Sequence, residues 1–355
     1  MASLLAIERF LPPYRYDQTE VVPWVREWLN EGDGAAAARL LPVYESAGVR
    51  TRASVVPIEE VFRPGDFQAQ NDRFSGIART AAVDLARRAL ATAELAPSQV
   101  DLIVSVSCTG FMIPAVDAHV ADALGMGPRL ARLPITESGC AGGVVGLARA
   151  LDFLTAHPDR TALVLAMEFA SLTFQRGDKS ATNVVSTAIF GDGGAAVVLV
   201  GADHPRARSG RARLVAAESV FFPATTHLMG FHLRNSGLHI ILDKALAPFV
   251  RREVARGVDG FLASQGLKRS DVTRWVMHPG GRRIIEVMAE RLGLDERDLA
   301  PTEAVLSEHG NMSSVTVLFV LDEILRRERP RPGERGLLGA FGPGFGAEFA
   351  LVEFT

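Results

Sequence analysis

Residues 136–143 read Thr-Glu-Ser-Gly-Cys-Ala-Gly-Gly, and the apolar run Val144 to Phe153 follows at once. Glycines on both sides of Cys140 allow a sharp turn and close backbone approach. The run after them reads as a buried helix. Cys140 therefore belongs at a strand-to-helix elbow, near a helix N-terminus. There the helix dipole and unpaired backbone N–H groups favour a thiolate. A thiolate is the nucleophile that acyl transfer requires. The bland alternative is a buried structural cysteine.

The pattern returns downstream. Gly310–Asn311–Met312–Ser313–Ser314 opens a second apolar helix, Val315 to Leu325. Two further echoes come in the same order. An amphipathic helix Ser75 to Leu95, a turn at Ala96–Pro97–Ser98 and an apolar strand Val100 to Val106 are matched by a helix Leu246 to Leu262, a turn Lys268–Arg269–Ser270 and a strand Val272 to Met277. Gly191–Asp192–Gly193–Gly194 leads into the strand Ala195 to Val200, as Gly342–Pro343–Gly344–Phe345–Gly346 leads into Ala347 to Phe354. Paired helices and short buried strands predict an α/β protein with layered sheets in two duplicated halves. Strands that are apolar throughout, rather than alternating, suit sheets covered on both faces. The aperiodic stretch Ala202 to Arg213, rich in Arg, Gly, Ala and Pro, reads as the connection, giving halves 1–205 and 206–355.

If the halves pack about a pseudo-twofold axis, the elbows of Cys140 and Asn311 face one cavity. His278 ends the strand before the second elbow and is followed by Pro279–Gly280–Gly281. Strand ends of α/β sheets are where sites collect. His278 is the candidate proton acceptor for Cys140, with His309 as rival. Asn311 reads either as an N-cap or as an amide donor to a developing oxyanion.

Bulk properties narrow the classes. The 355 residues are 48% hydrophobic and 22% charged, with net charge -3, which gives no basic footprint for nucleic acid. Two cysteines, Cys108 and Cys140, make no disulfide framework and no metal-type C-x-x-C, so a reducing, cytoplasmic setting is expected. The start, MASLLAIERFLPPYRYDQ, lacks a basic flank and a small-residue cleavage site, so no signal peptide is expected. The longest apolar stretches, such as Gly194 to Gly201, fall short of the ~20 residues of a membrane span.

Five motifs in register give the sequence a family resemblance. They are Gly-Cys-Ala-Gly-Gly at Cys140, Phe-Gly-Asp-Gly from Phe190, His-Pro-Gly-Gly from His278, Gly-Asn-Met-Ser-Ser from Gly310 and Phe-Gly-Pro-Gly from Phe341. Together they resemble the type III polyketide synthases, the chalcone-synthase-like group of the thiolase superfamily, through essentially the whole chain. The resemblance implies a five-layer αβαβα fold, a homodimer, and no metal or organic cofactor. It implies malonyl-CoA and an acyl-CoA starter as substrates. Cys140 would carry the acyl chain, His278 would keep Cys140 as thiolate, and His278 with Asn311 would stabilise the enolate left when malonyl-CoA loses carbon dioxide. Phe190 matches a gatekeeper between CoA tunnel and cavity. Ile240 falls where a second gatekeeper is often Phe, and Phe231 where plant enzymes have Gly. Cys108, Ala170, Thr173, Ile113 and Pro343 match cavity-lining positions. Arg50 and Arg52, with Gly280 and Gly281, are the expected CoA contacts. The glycine-rich context of Cys140 is most similar to bacterial enzymes that make alkylpyrones or alkylresorcinols from fatty acyl-CoA. The Cys108–Cys140 pair resembles tetrahydroxynaphthalene synthases, which use malonyl-CoA alone. Rival readings are a ketoacyl-carrier-protein synthase III, a Cys–His–Asn hydrolase and a silent acyl-binding subunit.

Overall fold

A computed structural model describes residues 1–31, 34–63 and 65–355. Its strands are β1 (Ala2–Phe10), β2 (Tyr14–Asp17), β3 (Thr51–Ser54), β4 (Leu102–Val106), β5 (Ala131–Ile135), β6 (Thr161–Phe169), β7 (Asp192–Gly201), β8 (Ala212–Phe221), β9 (Met229–Arg234), β10 (Gly237–Leu242), β11 (Arg274–Met277), β12 (Arg335–Gly342) and β13 (Gly346–Phe354). Its helices are α1 (Gln18–Asn30), α2 (Gly34–Leu40), α3 (Pro42–Ser46), α4 (Ile58–Val61), α5 (Phe67–Thr92), α6 (Val116–Leu124), α7 (Gly142–Ala156), α8 (Ala181–Ile189), α9 (Leu246–Ser264), α10 (Arg282–Leu292), α11 (Glu296–His309) and α12 (Thr316–Glu323).

Nine strands form one sheet in the order β11-β12-β13-β8-β1-β7-β6-β4-β5. From its middle outward, the series β1–β7–β6–β4 and β8–β13–β12–β11 repeat the same pairings. Each runs antiparallel, antiparallel, then parallel. A short antiparallel contact of Ala2–Leu4 with Ala212–Leu214 joins the two series. The duplication seen in the sequence is thus a duplication of strand order.

Strands such as β6 and β12 are apolar on both faces because each face meets a different layer. In β6, Ala162, Val164 and Ala166 enter the central core, while Leu163, Leu165 and Met167 enter an outer one. In β12, Leu338 and Ala340 face the central core, and Leu337 and Phe341 the opposite outer core. Helices α7 and α12 fill the centre, α5 and α6 cover the first half-sheet, and α9 and α10 cover the second. These are the five expected layers. The segment Gly139–Ala156 is the one helical stretch among the described residues long and apolar enough to cross a membrane, and 61% of it is buried in this core.

Element ends differ from expectation for local reasons. Helix α5 starts at Phe67 rather than Ser75, because Asp66 caps it by accepting from the Ala69 N–H. Strand β4 starts at Leu102, since Pro97–Gln99 forms a 3₁₀ turn. Beyond Glu323 the helix continues as a π turn, Ile324–Glu328.

Candidate active site

Two elbows meet at the centre. Gly139–Cys140–Ala141 forms a 3₁₀ turn that feeds α7, and Ser313–Ser314–Val315 forms one that feeds α12. Gly139 and Ser313 both take φ +49°. A Cβ on Gly139 would also stand 2.7 Å from Pro343 Cδ, and one on Gly143 2.2 Å from the Ser314 carbonyl oxygen. The glycines of the Cys140 motif thus serve the turn and the close approach of the second elbow. The expected elbow pairing holds, but its register is corrected. The counterpart of Cys140 is Ser314, and Asn311 arrives three residues ahead of it.

The Cys140 thiol is pushed up to about 11 by burial. Hydrogen bonds from Ser313 and Asn311 oppose the rise, and the nearby Glu168 carboxylate adds to it. Glu168 is fully buried in β6, whose residues from Ala162 to Met167 are all apolar. Its oxygens accept from Ser314 Oγ at 2.5 Å, Thr109 Oγ1 at 2.8 Å and the Cys108 N–H at 3.0 Å. Cys108 Sγ lies 3.2 Å from Ser313 Oγ, so this hydroxyl touches both thiols. The Cys108 thiol is likewise pushed well up, by burial and then by Glu168.

His278 directly follows β11, whose Met277 pairs with Gly339 of β12. It is buried, and neither ring nitrogen has a hydrogen-bond partner among the described residues. Burial pushes its imidazole down to about 3. Burial thus disfavours the charged form of both the Cys140 thiol and the His278 imidazole. An imidazole that burial holds toward its neutral form can act as a base, the role the resemblance implies for His278.

Asn311 is 1% exposed. Its Oδ1 accepts from the Ser313 N–H at 2.8 Å and from Thr316 Oγ1 at 3.4 Å. That fixes the amide, and Nδ2 is left to donate to the Gly280 carbonyl at 3.4 Å. The cap residue of this turn is Met312 rather than Asn311; the oxygen end of the Asn311 amide holds the turn ahead of α12, and its nitrogen end meets a backbone carbonyl. The backbone of Asn311 is stitched to that of the Phe190 region, with Asn311 N donating to Ile189 O at 2.7 Å and Gly191 N to Asn311 O at 3.0 Å.

A largely apolar cavity opens at Cys140. Of the expected wall residues, Phe190, Ile240, Phe231, Cys108, Ala170, Thr173 and Pro343 line it. Ile240 and Phe231 are direct cross-strand partners on β10 and β9. His278 and Asn311 are not among the wall residues. A lobe lined by Val21, Ile58, Val61, Phe62, Phe174 and Leu238 extends it.

Three expectations are corrected. Ile113 is fully exposed and does not line this chain's cavity: on the loop after β4, Met112 packs against the outer core while Ile113 faces outward. Arg52 lines the cavity but is not free to hold CoA. Its guanidinium is buried and donates to the carbonyls of Thr187, Ala188 and Phe190. Gly280 and Gly281 do not line the cavity; they turn the chain from β11 into α10, with Gly281 at φ +151°. Arg50 is exposed at the surface, outside the cavity wall. Sequence reasoning missed Ser313, Glu168 and the aliphatic lobe. A carboxylate inside an apolar strand was the available signal for Glu168.

Comparison with known proteins bears on this arrangement. Residues 2–204 match the chalcone and stilbene synthase N-terminal domain, and residues 213–354 the C-terminal domain. A 1,3,6,8-tetrahydroxynaphthalene synthase of Streptomyces peucetius subsp. caesius is 38% identical over 99% of this chain and 93% of that protein. An alpha-pyrone synthesis polyketide synthase-like protein of Mycobacterium tuberculosis is 31% identical over 90% of this chain and 84% of that protein. The crystal structure of 1,3,6,8-tetrahydroxynaphthalene synthase from Streptomyces coelicolor A3(2), a bacterial type III polyketide synthase, superposes with a TM-score of 0.93 at 31% identity and covers 99% of each chain. With both domains matched along a duplicated fold that brings Cys140 and Asn311 together, the chain belongs to the chalcone and stilbene synthase family and is a type III polyketide synthase, an acyltransferase.

Proposed function

We propose that this enzyme loads an acyl-CoA starter onto Cys140, extends it with malonyl-CoA, and releases a cyclised alkylpyrone- or alkylresorcinol-type product. His278 takes the Cys140 proton as the thiolate attacks the starter thioester, and returns it to the departing CoA sulfur. Malonyl-CoA then loses carbon dioxide. The enolate oxygen accepts hydrogen bonds from His278 and the Asn311 amide, and the enolate carbon attacks the Cys140 thioester and expels the Cys140 sulfur. Neutral donors suit this step, since a carboxylate base there would repel malonate. The observation that carries the reading is His278: a buried imidazole with two unpartnered nitrogens, two residues from the glycine whose carbonyl holds Asn311.

The starter preference rests on the aliphatic and aromatic lobe. Apolar walls stabilise each buried methylene by roughly 0.8 kcal/mol. Ile240 leaves more room at the entrance than an aromatic ring would. Medium or long acyl-CoA starters are therefore favoured over acetyl-CoA. A second reading, priming by malonyl-CoA alone with a tetrahydroxynaphthalene-type product, is supported by Ser313 touching both Cys108 and Cys140 and by the 38% identical relative. A chain-length series of starters on wild type and Ile240→Phe, followed by mass spectrometry of products, separates the two. The acyl reading expects rates that rise with chain length and fall in Ile240→Phe. Fastest turnover with malonyl-CoA alone, indifferent to Ile240→Phe, supports the second.

We also propose a homodimer. Its support is the exposed apolar loop carrying Phe111 and Ile113, a surface suited to burial by a second copy. Exposed Arg50 remains our candidate for a CoA phosphate contact.

A further inference from the structure

We infer that Arg50, Thr51 and Arg52 form a clasp that positions Phe190 and Asn311 together, with Arg52 as its principal positioning residue. Two helices end at this clasp. The first is α8, whose last carbonyls have no partner within the helix and carry the negative end of its dipole. Arg52 meets them with its planar fork: Nη1 donates to Thr187 O and, at 2.9 Å, to Phe190 O, and Nη2 donates to Ala188 O at 2.6 Å and to Gln18 Oε1. Gln18 reinforces the same end by donating to Ala188 O at 3.2 Å. The second helix is α11, which ends two residues before Asn311. Thr51 Oγ1 donates to Glu308 O at 2.6 Å, and the Arg50 N–H to Ser307 O at 2.8 Å.

Three consecutive residues thus hold the two segments that deliver the gatekeeper and the amide donor. Between those segments there is no slack. A Cβ on Gly191 would lie 2.3 Å from His309 O, and one on Gly310 2.8 Å from Ile189 O. Ile189 O, Asn311 N, Asn311 O and Gly191 N complete the stitch. A shift of the α8 end therefore moves the Asn311 backbone with it. Arg52 touches no reacting atom in this account; it acts through the placement of Asn311 and Phe190.

The clasp should govern decarboxylation more than loading, because loading needs Cys140 and His278, while enolate stabilisation also needs Asn311; this division rests on the function proposed above. The test compares wild type, Arg52→Lys, Arg52→Met and Thr51→Val as full-length enzymes. It measures carbon dioxide release from malonyl-CoA, acyl loading of Cys140 by intact mass, and melting temperature. Misplacement by 1 Å can lower a rate on the order of 10²-fold, so a backbone shift of a fraction of that gives about tenfold. Arg52→Met is expected to lower kcat for decarboxylation by about tenfold with KM little changed and loading within about twofold. Arg52→Lys falls between it and wild type, and Thr51→Val shows a smaller loss in the same direction. Parallel loss of both steps in proportion to unfolded protein overturns the clasp. If Arg52→Met does not fold, an unchanged decarboxylation kcat in folded Thr51→Val overturns it. Wild type that neither loads Cys140 nor releases carbon dioxide refutes the proposed function instead.

Discussion

The turn that carries Cys140 and the turn that carries Ser314 begin alike, with a residue at φ +49°, one 3₁₀ turn, and then a central helix. They differ in what surrounds the equivalent side chain. Cys140 borders the cavity, whereas Ser314 is 0% exposed and gives its hydroxyl to Glu168. Duplication supplied two elbows. One carries a serine buried beneath a carboxylate, with Asn311 three residues ahead of it, and the other a cysteine at the cavity. The asymmetry of the chemistry therefore lies in side chains and exposure, since the backbone is shared.

Substitutions can break that comparison. Asn311→Ala removes the donor delivered by the second elbow. Loss of one such donor lowers rates on the order of 10²–10³-fold. Decarboxylation of malonyl-CoA, followed by carbon dioxide release, should fall by that factor while Cys140 still accepts a starter. Intact decarboxylation with lost loading would reverse the roles given to the two elbows. Ser314→Ala should do the opposite. It leaves Glu168 Oε1 without its hydroxyl, a loss of about 1–3 kcal/mol in stability read by denaturant unfolding. Condensation per folded molecule should stay within about threefold. A collapse of turnover in folded Ser314→Ala would show that the second elbow is not silent.

Much of this was legible because it rests on backbone rules. Glycines around Cys140, the strand end before His278 and the paired motifs specify turns and order, and these the fold reproduces. What was illegible depends on which side chain fills which space. Arg52 reads as a phosphate ligand in a short basic run, yet the carbonyls it serves lie more than 130 residues away in sequence. Ile113 reads as a wall residue, but whether a loop turns inward is not written in its local pattern. The exact counterpart of Cys140 needed the start of α12, and a 3₁₀ turn at Ser313 moved that start by a few residues. The helix N-terminus favours a thiolate at Cys140, and the burial that opposes it appears only once the fold is known.

The central claim is that the first elbow alone carries the acyl chain. The most direct measurement is peptide mapping by mass spectrometry after brief incubation with an acyl-CoA starter, on wild type and on Cys140→Ala. The account predicts one thioester adduct, on the peptide containing Cys140, and none in Cys140→Ala, with condensation abolished. An adduct on Cys108, or continued condensation in Cys140→Ala, would contradict it.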